Sequence, residues 1–248
     1  MRGRPLDAVR AYPSRSPVTF GYVCLLLLTH AWVTWVLTED RAQTLLGYVS
    51  TDLDNLADHP AVALLGSALF FDGTLTDITS LLFPATVITL GFGVCCCLSW
   101  AERRWGALRA FVVFFTAHIA TTLLTAGVII LALRQGWYPD EVRHTLDYGI
   151  SYGAQTVMAA STVAMPRWAR IPWAVFLIAW PIAGAEWPGP LPDFTAVGHV
   201  LAAALGFLLA LPSVAHRLSR GAPRPLGHRP GHNNATRRKT AAPAARES

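Results

Sequence analysis

The charged residues of this 248-residue chain alternate with long apolar segments, and this pattern limits the possible folds more than any motif does. Of 20 Lys and Arg residues, 17 fall in four stretches: 1–17, 101–109, 166–170 and 215–248. Of 15 Asp and Glu residues, 12 fall in the other three connecting stretches. Lys and Arg close to a membrane span are retained in the cytoplasm. The pattern therefore predicts a multi-pass membrane protein with both termini in the cytoplasm and three acidic loops outside.

Six apolar segments are predicted to cross the membrane. Hydrophobic residues make up 53% of the chain and charged residues only 14%, whereas soluble domains carry about 25% charged residues. A helix needs about 20 apolar residues to cross a bilayer, and it satisfies its backbone hydrogen bonds internally. The spans are placed at 18–38, 80–100, 110–133, 148–165, 171–187 and 194–214. The predicted fold class is an all-α polytopic membrane protein with a six-helix bundle.

The sequence divides into three parts around this bundle. Residues 1–17 form a cytoplasmic N-terminal segment, 18–214 the membrane domain and 215–248 a basic tail that is predicted to be disordered. The tail supplies the net charge of +5. Such a tail favours contact with anionic lipid headgroups rather than with nucleic acid. Arg outnumbers Lys by 19 to 1, which is typical of GC-rich coding and indicates a bacterial plasma membrane.

The first outer loop is long, covering about residues 39–79. Within it, apolar residues recur at helical spacing between 60 and 71, a segment too short to span a bilayer. We expect this segment to form an interfacial amphipathic helix or a re-entrant helix. Pro60 suits the first turn of that helix.

Ser151 is the first candidate for chemistry. It follows Asp147 and lies between Gly149 and Gly153, near the outer end of the fourth predicted span. If Asp147 caps the helix, Ser151 lies about one turn inside it, where free N–H groups and the helix dipole favour a developing negative charge. The alternative is an ordinary small-residue surface for helix packing.

His199 is the second candidate. It follows Asp193, another candidate helix cap, and lies about one turn below the outer surface in the sixth span. Ser151 is predicted at the same depth. A serine and a histidine at matched depth can form a hydrogen-bonded dyad in which imidazole activates the hydroxyl. The alternative is a structural histidine that bonds a neighbouring helix.

No metal or cofactor site is predicted. The HExxH spacing, a phosphate loop and a dinucleotide-binding glycine pattern are all absent from the sequence. The adjacent cysteines at 95–97 point in different directions on a helix, so we expect them to fill apolar space. His118 is placed too near the cytoplasmic half of the third span to partner Ser151, and we expect it to be structural or to face a pore.

These segments, in their order and topology, resemble the rhomboid family of intramembrane serine proteases. Gly149-x-Ser151 is similar to the start of the GxSG motif of that family. His199-x-x-Ala202-x-x-x-Gly206 is similar to its HxxGxxxG pattern, with Ala in place of the first Gly. The stretch from Glu102 to Gly106 resembles the ExxxG motif at the end of the second span.

The resemblance implies roles for several residues. Ser151 would be the nucleophile and His199 the base, in a six-helix rhomboid-like bundle that cleaves transmembrane segments of other proteins. Gly149, Tyr152 and Gly153 would support the oxyanion and the nucleophile. Ala202 and Gly206 would pack the sixth helix against its neighbours.

The sequence also departs from the family pattern beside the candidate nucleophile and in the second span. Tyr152 stands where the motif has Gly, and its side chain is expected to crowd a substrate. Active rhomboids supply His and Asn oxyanion donors from the second span, where this sequence offers only Thr86 and Thr89. Losing one such donor costs about 100- to 1,000-fold in rate.

Three functional classes follow from these observations. The first is an intramembrane serine protease, and the second is a pseudoprotease that binds transmembrane clients without hydrolysis. The third is a small transporter or channel, which the scarcity of ionisable residues and the lack of an internal repeat disfavour. Membrane lipid and transmembrane proteins are the predicted partners, and the sequence gives no signal for an oligomeric state.

Overall fold

The computed structural model describes residues 10–80 and 82–219, apart from the side chain of Ser213. The predicted N-terminal segment up to residue 9 and the basic tail from residue 220 lie outside the described residues. Within the described part the chain forms helices and connecting loops, with no β-strand. The all-α class is therefore confirmed for this part of the chain.

Twelve α-helices are found among these residues. In chain order they are α1 (Tyr12–Arg15), α2 (Pro17–Trp35), α3 (Glu39–Val49), α4 (Leu53–Asp58), α5 (Pro60–Gly66), α6 (Leu82–Thr86), α7 (Ser99–Trp105), α8 (Ala107–Arg134), α9 (Ser151–Ala160), α10 (Arg167–Ala183), α11 (Phe194–Leu209) and α12 (Pro212–Ser219). A π-helical segment, Val87–Leu98, joins α6 to α7 without a break, and 3₁₀ turns cover Ser67–Leu69, Asp140–His144 and Ser161–Ala164.

Within residues 10–80 and 82–219, three helical segments are long and apolar enough to cross a membrane. They are Pro17–Trp35, Leu82–Trp105 and Ala107–Arg134, of 19, 24 and 28 residues. They coincide with the first three predicted spans. The last three predicted spans contain shorter helices, α9, α10 and α11, of 10, 17 and 16 residues.

Helix α9 lies at the centre of the bundle, and all of its residues except Ser151 are buried. Small residues let neighbouring helices approach it. A Cβ added to Gly93 would lie 2.6 Å from Ala154 Cβ, and one added to Gly153 would lie 2.8 Å from the ring of Phe114. Because lipid is as apolar as these side chains, close packing rather than the hydrophobic effect holds membrane helices together.

The outer loop enters the bundle. Pro60 begins α5, as predicted, and the following 3₁₀ turn is buried at Ser67. The Ser67 hydroxyl lies 3.2 Å from His118 Nε2, and the hydroxyl of Tyr22 donates to Ala68 O at 2.6 Å. The end of this segment therefore packs into the bundle, whereas Val62 and Leu65 of α5 stay exposed. His118 is fully buried and fixes this loop to α8.

The end of α7 holds the start of α2. Glu102 Oε1 accepts from Val18 N at 3.1 Å, and Oε2 accepts from Thr19 N at 2.8 Å and from Thr19 Oγ1 at 2.6 Å. The first N–H groups of a helix have no partner within it, and its dipole favours an anion at this end. Glu102 therefore acts as a cap supplied by another helix.

Candidate functional site

Ser151 begins α9, immediately after a sharp turn of the backbone. Gly149 has φ of +124°, a conformation that a side chain disfavours, and its N–H donates to Ser67 O at 3.1 Å. The turn rests on the outer loop, because Gly149 lies against the backbone of Phe71 and Asp72. This anchoring places Ser151 at the N-terminal end of α9.

The predicted capping of this helix by Asp147 is wrong. The helix begins at Ser151 rather than at 148, and no side chain caps its first turn. The Asp147 carboxylate instead accepts hydrogen bonds of 3.2 Å from the hydroxyls of Thr51 and Tyr152. A cap needs its oxygen over the first helical turn, and these two partners hold the carboxylate away from it.

The first turn of α9 leaves three backbone donors free. Among the described residues, none accepts a hydrogen bond from the N–H groups of Ser151, Tyr152 or Gly153. Ala154 N is the first to bond, to Ile150 O at 3.0 Å. Free N–H groups at a helix N-terminus are suited to stabilising an oxyanion.

His199 is oriented by its own helix. Asp193 caps α11 as predicted, since its Oδ1 accepts from Ala196 N at 3.0 Å. One turn further, His199 Nδ1 lies 2.7 Å from Thr195 O. Because a carbonyl only accepts, Nδ1 carries the proton in this pair, which assigns the tautomer. In the neutral ring, Nε2 then holds the free lone pair and can act as a base.

Two cavities bring Ser151 and His199 together. One has a volume of about 200 Å³ and the other of about 100 Å³, and both residues line each of them. No hydrogen bond joins their side chains in this structure. Catalytic hydrogen bonds are often long in unliganded enzymes and tighten when substrate binds. The dyad therefore stays a prediction, with its two members at one site.

Tyr152 forms part of the wall between α9 and α11. Its side chain is 3% exposed, and its ring packs edge-on against His199 with 5.3 Å between the ring centroids. Gly198 makes room for it, because a Cβ at that position would lie 2.6 Å from the ring. The expected crowding of a substrate is thus lessened, since the ring is buried in the wall of the larger cavity.

Asp147 is the charged group closest in sequence to this turn. Burial raises its pKa to about 6, an effect that the hydrogen bonds from Thr51 and Tyr152 oppose. Its backbone is also fixed to the outer loop, because Thr51 N donates to Asp147 O at 2.6 Å and Asp147 N donates to Ser50 Oγ at 3.0 Å. Nothing in the local spacing of Ser50 or Thr51 indicates this role.

The larger cavity has an acidic lining. Asp72 and Asp147 both line it, and its lining residues include no Lys or Arg. Burial raises the pKa of Asp72. Among the described residues no cluster of three or more His, Cys, Asp or Glu is arranged to hold a metal ion.

Ala202 and Gly206 lie where α11 crosses α9. The Thr156 hydroxyl donates to Ala202 O at 3.1 Å. A Cβ added to Gly206 would lie 2.3 Å from Thr156 O and 2.5 Å from Ala159 Cβ. With Gly198 these residues form a stripe at four-residue spacing, which brings the His199 helix close to the Ser151 helix.

One comparison with known proteins identifies a family. The family model for rhomboid-like proteins matches residues 11–219, which include both candidate residues and all three long apolar segments. No curated protein and no solved structure matches the chain. The match covers most of the sequence, and the chain therefore belongs to the family of rhomboid-like membrane proteins.

Proposed function

We propose that this protein is an intramembrane serine protease that cleaves transmembrane segments of other proteins. The observation that carries the proposal is the placement of Ser151 and His199 on the same two cavities. The Nδ1 of His199 is occupied by Thr195 O, which leaves Nε2 as the base. The shared position of Ser151 and His199, the tautomer of His199 and the free N–H groups of α9 together support acyl transfer.

The reaction proceeds in two halves. Ser151 Oγ attacks the scissile carbonyl carbon while its proton passes to His199 Nε2. The tetrahedral intermediate collapses as the C–N bond breaks, and His199 gives the proton to the leaving amine. Water then attacks the acyl ester, its proton passes to His199 and on to Ser151 Oγ, and the carboxylic acid is released. The free N–H groups of the first turn stabilise the oxyanion in both halves.

The proposed setting is a plasma membrane with six spans and both termini in the cytoplasm. In this topology the outer ends of α9 and α11 face the same side, so water reaches the cavities from outside. Helix α10 is the proposed entrance for the substrate. Trp180 and Pro181 of this helix line the smaller cavity, and Pro172 and Pro181 remove backbone hydrogen bonds from it.

A fluorophosphonate probe tests the proposal without knowledge of the substrate. The Ser151 oxygen would displace fluoride from phosphorus, with His199 taking the serine proton. We expect labelling of the wild-type protein in bilayers and none in Ser151→Ala or His199→Ala. Ser161→Ala is the matched control, because its hydroxyl is bonded to Met158 O at 2.7 Å and lies at the far end of α9. Equal labelling of Ser151→Ala and wild type would contradict the proposal.

A second function is a rhomboid-like pseudoprotease that binds transmembrane clients. Two observations favour it: no hydrogen bond joins Ser151 to His199, and the second span lacks His and Asn donors. In that case folded wild-type protein stays unlabelled. A photocrosslinker placed at Trp180 would still capture a transmembrane peptide, and capture would persist in Ser151→Ala.

A further inference from the structure

We infer that the hydroxyl of Thr89 is the side-chain oxyanion donor of this site. This inference rests on the proposed protease function. The tetrahedral intermediate needs donors aimed at its oxyanion, and the free N–H groups of α9 supply them from one side only. A side-chain donor to the oxyanion would have to come from another wall of the cavities.

Thr89 lies where the two cavities meet. Of the residues that the structure describes, four line both cavities: Ala85, Thr89, Ser151 and His199. The two cavities therefore meet around these residues. A carbonyl carbon bonded to Ser151 Oγ has to lie at this junction. Apart from the nucleophile and the base, Thr89 is the one member of this group with a polar side chain.

Other polar side chains that line the cavities already have hydrogen-bond partners within the protein. Gln155 Nε2 donates to Leu177 O at 2.6 Å, and the hydroxyls of Tyr152 and Thr195 donate to Asp147 and Asp193. These donors are occupied within the protein. The Thr89 hydroxyl, in contrast, has no hydrogen-bond partner among the described residues.

Thr86 gives the contrast within the same helical stretch. Its hydroxyl donates to Leu82 O at 2.8 Å and accepts from Thr74 N at 3.0 Å. A threonine hydroxyl in a helix commonly bonds the carbonyl four residues earlier. Thr89 does not make that bond. It lies in the π-helical segment, a rare geometry that is frequent at functional sites.

The hydroxyl of Tyr148 lines the larger cavity but not the smaller one, and it lies beside Asp72. The indole of Trp180 is the remaining candidate donor. This indole belongs to α10 and lines the smaller cavity but not the larger one, whereas Thr89 lines both cavities. Its side chain is 43% exposed on the outside of the bundle. The junction of the cavities therefore favours Thr89.

The test measures fluorophosphonate labelling kinetics in bilayers for wild type, Thr89→Val, Thr89→Ser and Thr86→Val. The phosphoryl oxygen of the probe occupies the place of the oxyanion. We expect Thr89→Val to lower the maximal labelling rate by about 100-fold while probe affinity changes little. Thr89→Ser should keep most of the rate because it keeps the hydroxyl. Thr86→Val should label at the wild-type rate, since its hydroxyl is bonded to backbone.

Each outcome has a clear meaning. Labelling of Thr89→Val at the wild-type rate overturns the role of Thr89 and leaves the protease proposal intact. A rate loss in Trp180→Phe, with none in Thr89→Val, overturns it in favour of the indole. Absence of labelling in folded wild type overturns both proposals. A Thr89→Ser labelling rate as low as that of Thr89→Val also contradicts the inference. A thermal unfolding curve for each variant distinguishes a folded protein that labels slowly from a misfolded one.

Discussion

The Tyr152 hydroxyl donates a 3.2 Å hydrogen bond to the Asp147 carboxylate, although the two residues lie on opposite sides of the turn that presents Ser151. The same ring packs against His199. The Asp147 carboxylate also accepts from Thr51 of the outer loop. A continuous series of contacts thus links the outer loop, the turn before the candidate nucleophile and the candidate base.

Asp147 should make stability depend on pH. Burial raises its pKa in the folded protein to about 6, above its usual value of 3.8. The folded protein therefore binds more protons than the unfolded chain between these values, so the free energy of unfolding falls as pH rises from about 4 to 6. Asp147→Asn should remove this fall while keeping an oxygen that accepts from Tyr152. Thermal unfolding in detergent across this pH range measures it.

An acidic residue outside this chain of contacts serves as the control. Asp140 is exposed at the start of the 3₁₀ turn that it shares with His144. Asp140→Asn should keep the wild-type pH dependence. If Asp147→Asn keeps it as well, Asp147 is not its source.

Gly149 should tolerate no side chain. Its φ of +124° lies in a region that L-residues rarely adopt, and strain of this kind costs about 1–3 kcal/mol. Gly149→Ala should lower the free energy of unfolding by that amount and slow fluorophosphonate labelling, because the turn positions Ser151. Gly127→Ala is the matched control. Gly127 lies inside α8 with nothing within 4 Å of an added Cβ, so Ala should stabilise the protein by up to about 1 kcal/mol.

Gly198 and Tyr152 should show energetic coupling. A Cβ at 198 would lie 2.6 Å from three atoms of the tyrosine side chain, and such overpacking costs about 1–3 kcal/mol. We therefore expect Gly198→Ala to destabilise the protein and to displace the ring from His199. Combined with Tyr152→Ala, the same substitution should cost less than it does alone. Strictly additive effects in a double-mutant cycle would mean that the ring moves aside freely.

Local patterns in the sequence predicted the features that depend on local physics. The apolar runs gave the positions of the three long helices, and the residues before the helices gave the roles of Pro60 and Asp193. Ser151 and His199, which were predicted at the same depth, line the same cavity. Each of these depends on helix geometry or on capping within a few residues.

The missed features depend on contacts between distant segments. Asp147 was expected to cap a helix, but its partner Thr51 lies 96 residues away. The packing of the outer loop into the bundle depends on Ser67 meeting His118, 51 residues later in the chain. The π-helical segment around Thr89 packs where Gly93 meets Ala154. Tertiary packing of this kind leaves no periodic signal in a single sequence.

Glu102 should be essential for stability and dispensable for chemistry. Its carboxylate accepts three hydrogen bonds at the start of α2 and is only 5% exposed. Hydrogen bonds to a charged group contribute about 1.5–3 kcal/mol, and Ala would leave buried donors without acceptors. We expect Glu102→Ala to lower the free energy of unfolding by about 3 kcal/mol, and Glu102→Gln to lower it by less because its amide oxygen still accepts.

The exposed Arg104 beside Glu102 offers a control, since Arg104→Gln should change the free energy of unfolding little. The folded fraction of the Glu102 variants should label with fluorophosphonate at the wild-type rate, because Glu102 lies outside both cavities at the other end of the second long helix. Slow labelling of fully folded Glu102→Gln would instead mean that the start of α2 is coupled to the site. Unchanged stability of Glu102→Ala would mean that water replaces the carboxylate at this helix end.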